Sequence, residues 1–278
     1  MHHPNLCFML SAVLLFACFA CEKETVELEP VTGDLTLLGI QVPVTKHHSD
    51  YADYTISYTS DNRVTDVKGD RLYINRNPLE FVVKSTDGRI SHIYGNIKFN
   101  SAGCATYYER LTSDRRPFTT YTMTYDADNY LSTITEITIS SNDEMKTVVT
   151  RGIRKRIDRI DSYYKGKLSE YTTFSYSENI ENTAGIFVPR IASEAPFLTY
   201  TGLLGRPAGA LPSTCRTTSY SYQGDTYIMY AKYNYYALFG NHFNRVEEEW
   251  NWPSIHETWT MIETFAYKEA ILNKPGIQ

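Results

Sequence analysis

All three tryptophans of the 278-residue chain fall between positions 250 and 259. Residues 245–252 read as a strand whose two-residue period puts Glu248, Trp250 and Trp252 on one face. Beyond Pro253, residues 257–267 put Glu257, Trp259, Met261, Glu263, Phe265 and Tyr267 on one face by the same period. Indoles interleaved with carboxylates suit sugar recognition. The flat ring packs on the C–H face of a pyranose, and the carboxylates accept from its hydroxyls. Trp250, Trp252, Trp259, Glu248 and Glu257 are therefore the candidate ligand-binding residues. The competing and commoner use of such a pattern is cross-strand aromatic pairing inside a core, expected for at least one of the three indoles. Glu248 with Glu257 or Glu263 would also meet the need of glycoside hydrolysis for two carboxylates roughly 5–9 Å apart. A β protein with several glutamates offers such pairs by chance.

The remaining polar clusters point to less. His47-His48-Ser49-Asp50 with Asp53 carries metal-capable side chains. Neighbours on a strand point to opposite faces, so His47 and His48 would share an ion only from a turn, and a solvated loop is expected. His92, His242 and His256 stand singly, without ligand spacing. Arg151, Arg154, Lys155, Arg156 and Arg159 form a basic run that would suit a lipid headgroup or an acidic ligand. A solvated strand edge, its charges blocking further pairing, is the expectation. The sequence contains no Gly-x-Ser-x-Gly, His-Glu-x-x-His or P-loop motif. Gly202-Leu203-Leu204-Gly205 lacks the Lys and Ser/Thr of a phosphate cradle. No catalytic residue, metal site or cofactor is assigned, and a protein that is not an enzyme is expected.

Residues 6–20 form an apolar run broken only by Ser11. At about 1.5 Å per residue it falls short of a hydrocarbon layer of roughly 30 Å and has the length of a signal-peptide core. His2 and His3 stand where Lys or Arg is usual. The run ends Leu15-Phe16-Ala17-Cys18-Phe19-Ala20-Cys21, which resembles a lipobox in either of two frames. The frame ending at Cys21 is followed by Glu22-Lys23-Glu24, which resembles the acidic export tag of Bacteroidetes surface lipoproteins. The resemblance implies a signal peptide at 1–20, lipidation at Cys21, an acidic tether at 21–33 and a lipid anchor in the outer membrane. A plain secreted protein is the alternative. Cys7 and Cys18 then leave with the signal, and Cys104 and Cys215 remain. An oxidising compartment permits a disulfide between them, but two separate buried thiols are expected.

A net charge of −5 argues against a nucleic-acid partner, which needs a basic face. The chain holds 23 tyrosines, which fit half-buried sheet surfaces. Residues 38–44 alternate as a first strand, which Pro43 demotes to an edge. From Tyr54 to Tyr176 an irregular unit recurs: an aromatic strand, a turn, an aliphatic, then an apolar residue three further on. Asn62, Gly88, Gly103, Asn129 and Gly166 supply the turns, because Asn and Gly tolerate positive φ. A β-bulge after each turn would restore the facing that a spacing of three breaks. These units, Tyr125-Asp126-Ala127-Asp128-Asn129 most closely, resemble degenerate tyrosine-aspartate repeats. Between 179 and 212 alternation fails around four prolines, the mark of a cap or a functional connection. Strands resume at 220–235 and in the last pair, and residues 267–273 read as a short helix or closing strand.

Gly202-Leu203-Leu204-Gly205 followed by Leu211-Pro212-Ser213, behind hairpins and a lipobox, resembles a family of Bacteroidetes surface lipoproteins, a domain of unknown function with a porin-like fold. The resemblance spans about residue 35 to the C-terminus and implies no activity. The expected fold is an all-β antiparallel meander, curled toward a barrel or an open curved sheet, as one domain over 34–278. Its strands carry Thr and Ser on their non-aromatic face and the chain lacks a terminal aromatic strand, so a soluble sheet is expected rather than a membrane-spanning barrel. The expected function is non-catalytic binding of a glycan or peptide at the cell surface. The alternatives are a structural or accessory envelope protein and a polysaccharide hydrolase.

Overall fold

The structure, a computed structural model, describes residues 35–36, 44–49, 52–59, 63–69, 71–177, 180–182, 185–188, 201–239 and 242–267. The lipobox, the tether, Asn62, residues 38–43 of the expected first strand and the expected closing element at 268–273 lie outside them. The strands are β1 (Leu35–Thr36), β2 (Val44–Ser49), β3 (Ala52–Tyr58), β4 (Arg63–Gly69), β5 (Leu72–Arg76) and β6 (Leu79–Lys84). Next come β7 (Ile90–Phe99), β8 (Ala105–Thr112), β9 (Pro117–Tyr125), β10 (Leu131–Thr138), β11 (Asp143–Arg151) and β12 (Ile157–Tyr164). The last are β13 (Lys167–Ser175), β14 (Thr214–Tyr220), β15 (Thr226–Phe239), β16 (His242–Trp252) and β17 (Glu257–Tyr267).

From β2 to β17 each strand pairs antiparallel with the next, and β17 pairs with β2. The meander thus closes into a barrel of 16 strands, while β1 adds two residues against β4. Closure leaves the barrel without an open edge. The expected alternative of an open sheet is therefore excluded.

One turn recurs around it. Ser85 N–H donates to Arg89 O while Gly88 N–H donates back to Ser85 O, and the same pair of bonds joins Asn100, Gly103 and Cys104 and joins Asp126, Asn129 and Tyr130. The first side chain stabilises the turn: Asp126 Oδ1 accepts from the amides of Asp128 and Tyr130 at 2.9 and 3.0 Å. The fourth residue sits at positive φ, 82° at Gly88, 82° at Gly103 and 64° at Asn129. Lys165-Gly166 forms the two-residue variant, with φ of 50° and 76°.

The expected bulges follow these turns. Register shifts place Thr65, Ser91, Thr106, Ser132 and Ser169 at bulges, between consecutive register pairs. Two of these hydroxyls donate to the facing strand, Thr106 to Lys98 O and Ser169 to Ser162 O. The extra residue returns Val64 with Val67, Ala105 with Tyr108, and Leu131 with Ile134 to the inner face, where all six are buried. Ile93 is the departure. It lies on the face opposite Phe81 and Tyr94, in a small cluster with Val82, Leu111 and Tyr73.

The two ends of the barrel differ. Turns from odd to even strands gather at one end, and the connection from β13 to β14 closes it. Ala105 N–H donates to Leu203 O at 2.8 Å, Arg206 N–H to Asn129 O at 3.0 Å, and Tyr130 bridges Gly205. Ile186, Leu203 and Leu211 of this connection are fully buried in the main core. A set of tyrosines fastens the same end. Tyr58, Tyr125, Tyr176 and Tyr235, near the ends of odd strands, each donate a phenolic proton at 2.7 Å to a main-chain carbonyl, of Val44, Ala105, Ile157 and Pro212. Tyr267 does the same to Phe243 O. Each acceptor lies at or beside the start of the preceding even strand. The tyrosine content thus serves closure as well as sheet packing.

Two expectations fail here. His47 and His48 lie within β2 and not in a loop, because β17 and β3 pair with that segment on both sides. The basic run is not a strand edge. It spans the β11–β12 turn at the closed end, where three of its five charges meet carboxylates: Lys155 meets Asp126 and Asp128, Arg156 meets Asp158, and Arg159 meets Asp161.

Candidate functional site

The turn at 253–256 sets β16 and β17 so that Trp250 faces Trp259, Trp252 faces Glu257, and Glu248 faces Met261. The two faces read from the sequence are therefore one face. Trp250 packs against the main core cluster. Its neighbours in register, Ala231 and Cys215, are buried, so this face is the inside of the barrel. It lies at the open end, opposite the plugged one. Inner-face residues there keep solvent contact: Trp259 is 37 % exposed and Met145 49 %.

The Trp250 and Trp259 rings are stacked, 6.0 Å between centroids and 5° from parallel. Tyr227 from β15 meets Trp252 edge-on at 6.1 Å. Together they make an aromatic wall three strands wide. The Trp250 indole donates to Glu248 Oε2 at 3.1 Å, which fixes its ring plane. The Trp252 indole N–H is buried and, among the described residues, has no hydrogen-bond partner. A buried donor in that state costs about 1–3 kcal/mol, which an incoming acceptor would recover.

The candidate carboxylates part company. Glu257 is exposed at the mouth, facing Trp252 in register. Glu248 is 4 % exposed, beneath the indoles. Burial and then the nearby Cys215 and Glu248 push the phenol of Tyr233, its register partner, well above the usual range. Glu263 is deeper still, 2 % exposed, with Oε2 3.1 Å from His47 Nε2. Glu248 and Glu263 are diagonal neighbours on the inner face, roughly 7–8 Å apart at Cα. That spacing suits two-carboxylate chemistry, but both groups lie under the aromatic layer and each meets a neighbouring ring nitrogen.

The sequence reading missed His47 and Tyr227 as parts of this wall. Tyr227 was legible through its alternation with Tyr233 and Tyr235. His47 was not, because its partner Glu263 lies 216 residues away. Among the described residues no group of three or more His, Cys, Asp or Glu gathers around a common point. Cys104 and Cys215 are separate buried thiols, and burial raises the pKa of both. Cys21 lies outside the described residues.

No family model matches the chain, and no curated protein sequence does. Among solved structures, a porin-like protein from Bacteroides uniformis ATCC 8492 superposes with a TM-score of 0.58 at 16% identity, over 81% of this chain and 97% of that one. A porin-like protein from Bacteroides vulgatus ATCC 8482 aligns at 14% identity and a TM-score of 0.48, over 82% and 99% of the two chains. The former likeness is one of fold: this chain is an all-β barrel similar to a porin-like protein of Bacteroides.

Proposed function

We propose that this protein is a lipid-anchored envelope protein, tethered through Cys21, whose open barrel mouth binds a neutral glycan without transforming it. The Trp259 indole carries the reading: stacked on Trp250 and 37 % exposed at the mouth, it leaves free ring surface for the C–H face of a sugar. The unpaired Trp252 N–H and the exposed Glu257 would supply a donor and an acceptor for ring hydroxyls. Binding rather than hydrolysis is favoured because Glu248 and Glu263 are buried below the platform.

The test is titration of neutral oligosaccharides against the full chain and against Trp259→Ala and Trp250→Ala. Loss of an aromatic anchor should weaken binding by roughly 1–3 kcal/mol. Trp259→Ala should do so with little change in melting temperature, because that ring is exposed. A folded Trp259→Ala protein that binds as tightly as the parent would remove the platform from consideration. Release of reducing ends that stops on Glu248→Gln would identify a hydrolase instead.

A further inference from the structure

A second surface lies behind the tryptophans, on the outside of the wall. Alternation puts Thr173, Arg216, Tyr230 and Asn251 in one outward row and Thr214, Lys232, Glu249 and Thr260 in the next. With Ala231, Trp250 and Trp259 they line a shallow groove of about 810 Å³. Tyr230 is 45 % exposed within it.

The charges of the groove are unequal. Among the described residues neither Arg216 nor Lys232 makes an ion pair, although Lys232 faces Glu249 in register. Glu249 is held instead by Asn234 Nδ2 at 2.6 Å. Arg216 reaches the phenols of Tyr230 and Tyr171. On the far side of Tyr171 the Arg159 guanidinium lies 4.2 Å from the ring centroid. The adjacent Thr218 hydroxyl, and then Arg216 and Arg159, hold the Tyr171 phenol below its usual range. A chain of net charge −5 thus presents two cations against one carboxylate, Glu249, in a concave, hydroxyl-lined site.

We propose that this groove binds an acidic saccharide, with Arg216 and Lys232 taking its carboxylate or sulfate and Tyr230 supporting the ring. Guanidinium pairs with planar acids through two parallel hydrogen bonds, and the ammonium adds a second cation one strand away. The remaining lining of threonine, serine and asparagine matches ring hydroxyls. A peptide is less suited: the closed barrel offers no free edge for strand addition, and the groove has no apolar pocket for a side chain. The site is separate from the mouth, because its side chains project from the opposite face of the same strands.

The experiment is calorimetric titration of the full chain with a tetramer of galacturonic acid, a tetramer of galactose and an octapeptide of glutamate. The acidic sugar should bind, more weakly at high salt, and the other two should bind at least about tenfold less tightly. Arg216→Gln with Lys232→Gln should weaken uronate binding roughly tenfold or more, the scale of one lost charge-assisted hydrogen bond. Glu249→Gln should strengthen it, a gain that a damaged fold would not produce. Glu257→Gln at the mouth, outside the groove lining, should leave it unchanged, so the groove and the mouth fail independently. Equal binding of the neutral sugar or the peptide, no binding of the uronate, or indifference to the double substitution would each overturn the proposal.

Discussion

Raising the pH should unfold the barrel in one steep step. Tyr58, Tyr108, Tyr125, Tyr233, Tyr235 and Tyr267 all have their ionisation pushed above the usual phenol range, in every case chiefly by burial. Four of them also donate to main-chain carbonyls, an arrangement only the protonated form can make. An unfolded chain releases these protons once the pH passes about 10, whereas the folded chain keeps them. The unfolded state then binds fewer protons, so stability falls as pH rises. Each phenol contributes about 1.4 kcal/mol per pH unit in this window, and six together roughly 8 kcal/mol. A typical domain has about 5–15 kcal/mol to lose, so the transition should be complete within about two units above pH 10. The assay follows phenolate absorbance near 295 nm and far-ultraviolet dichroism in parallel. The buried set should ionise together with loss of the β signal. A smooth titration of all tyrosines near pH 10, with the β signal intact, would refute both the burial and the closure role assigned to these phenols.

Three further outcomes are expected. Gly205→Ala should destabilise far more than Gly88→Ala: both sit at positive φ, but a Cβ at 205 would meet Asn129 O at 2.3 Å whereas one at 88 meets nothing within 4 Å. Urea unfolding should give about 1 kcal/mol for Gly88 and roughly 2–4 kcal/mol for Gly205, and equal costs would deny that the connection is pinned to the β9–β10 turn. Residues 34–278 expressed alone should stay monodisperse without detergent, and a strict detergent requirement would mean the outer wall meets lipid. Cys21→Ala should abolish palmitate labelling while Cys18→Ala leaves it, and the reverse would move the lipid to Cys18.

What the sequence made legible was local. Asp126 and Asn129 define their turn through bonds spanning four residues, and Ser132 relieves the spacing between Leu131 and Ile134 by bulging. The strand faces carrying Trp250 and Trp259 followed from period two. What stayed hidden depends on partners far along the chain. Closure rests on the pairing of β17 with β2, and nothing within either segment specifies it. The same pairing draws His47 from an apparently polar stretch into the interior. The side of the wall that faces inward was also illegible, because aromatics occupy both: Tyr233 is buried while Tyr230 and Tyr236 are each 45 % exposed. The basic run misled because its neutralising aspartates at 126 and 128 sit on a neighbouring turn.

The likeness to a porin-like protein needs reading against the two surfaces a porin uses. A membrane barrel of this strand number carries an apolar outer band about 25 Å tall and encloses a water-filled passage. Here the outer rows are polar along much of the wall. Asp53, Thr55 and Ser57 alternate with buried Tyr54 and Ile56, Thr122 and Thr124 flank buried Met123, and Lys232 and Glu249 face outward opposite the tryptophans. At the closed end Leu203 and Leu211 of the β13–β14 connection are fully buried in the main core. Polar outer rows of this kind are what the proposed attachment through a lipid on Cys21 requires. The proposed glycan site then lies at the open rim, where Trp259 keeps solvent contact.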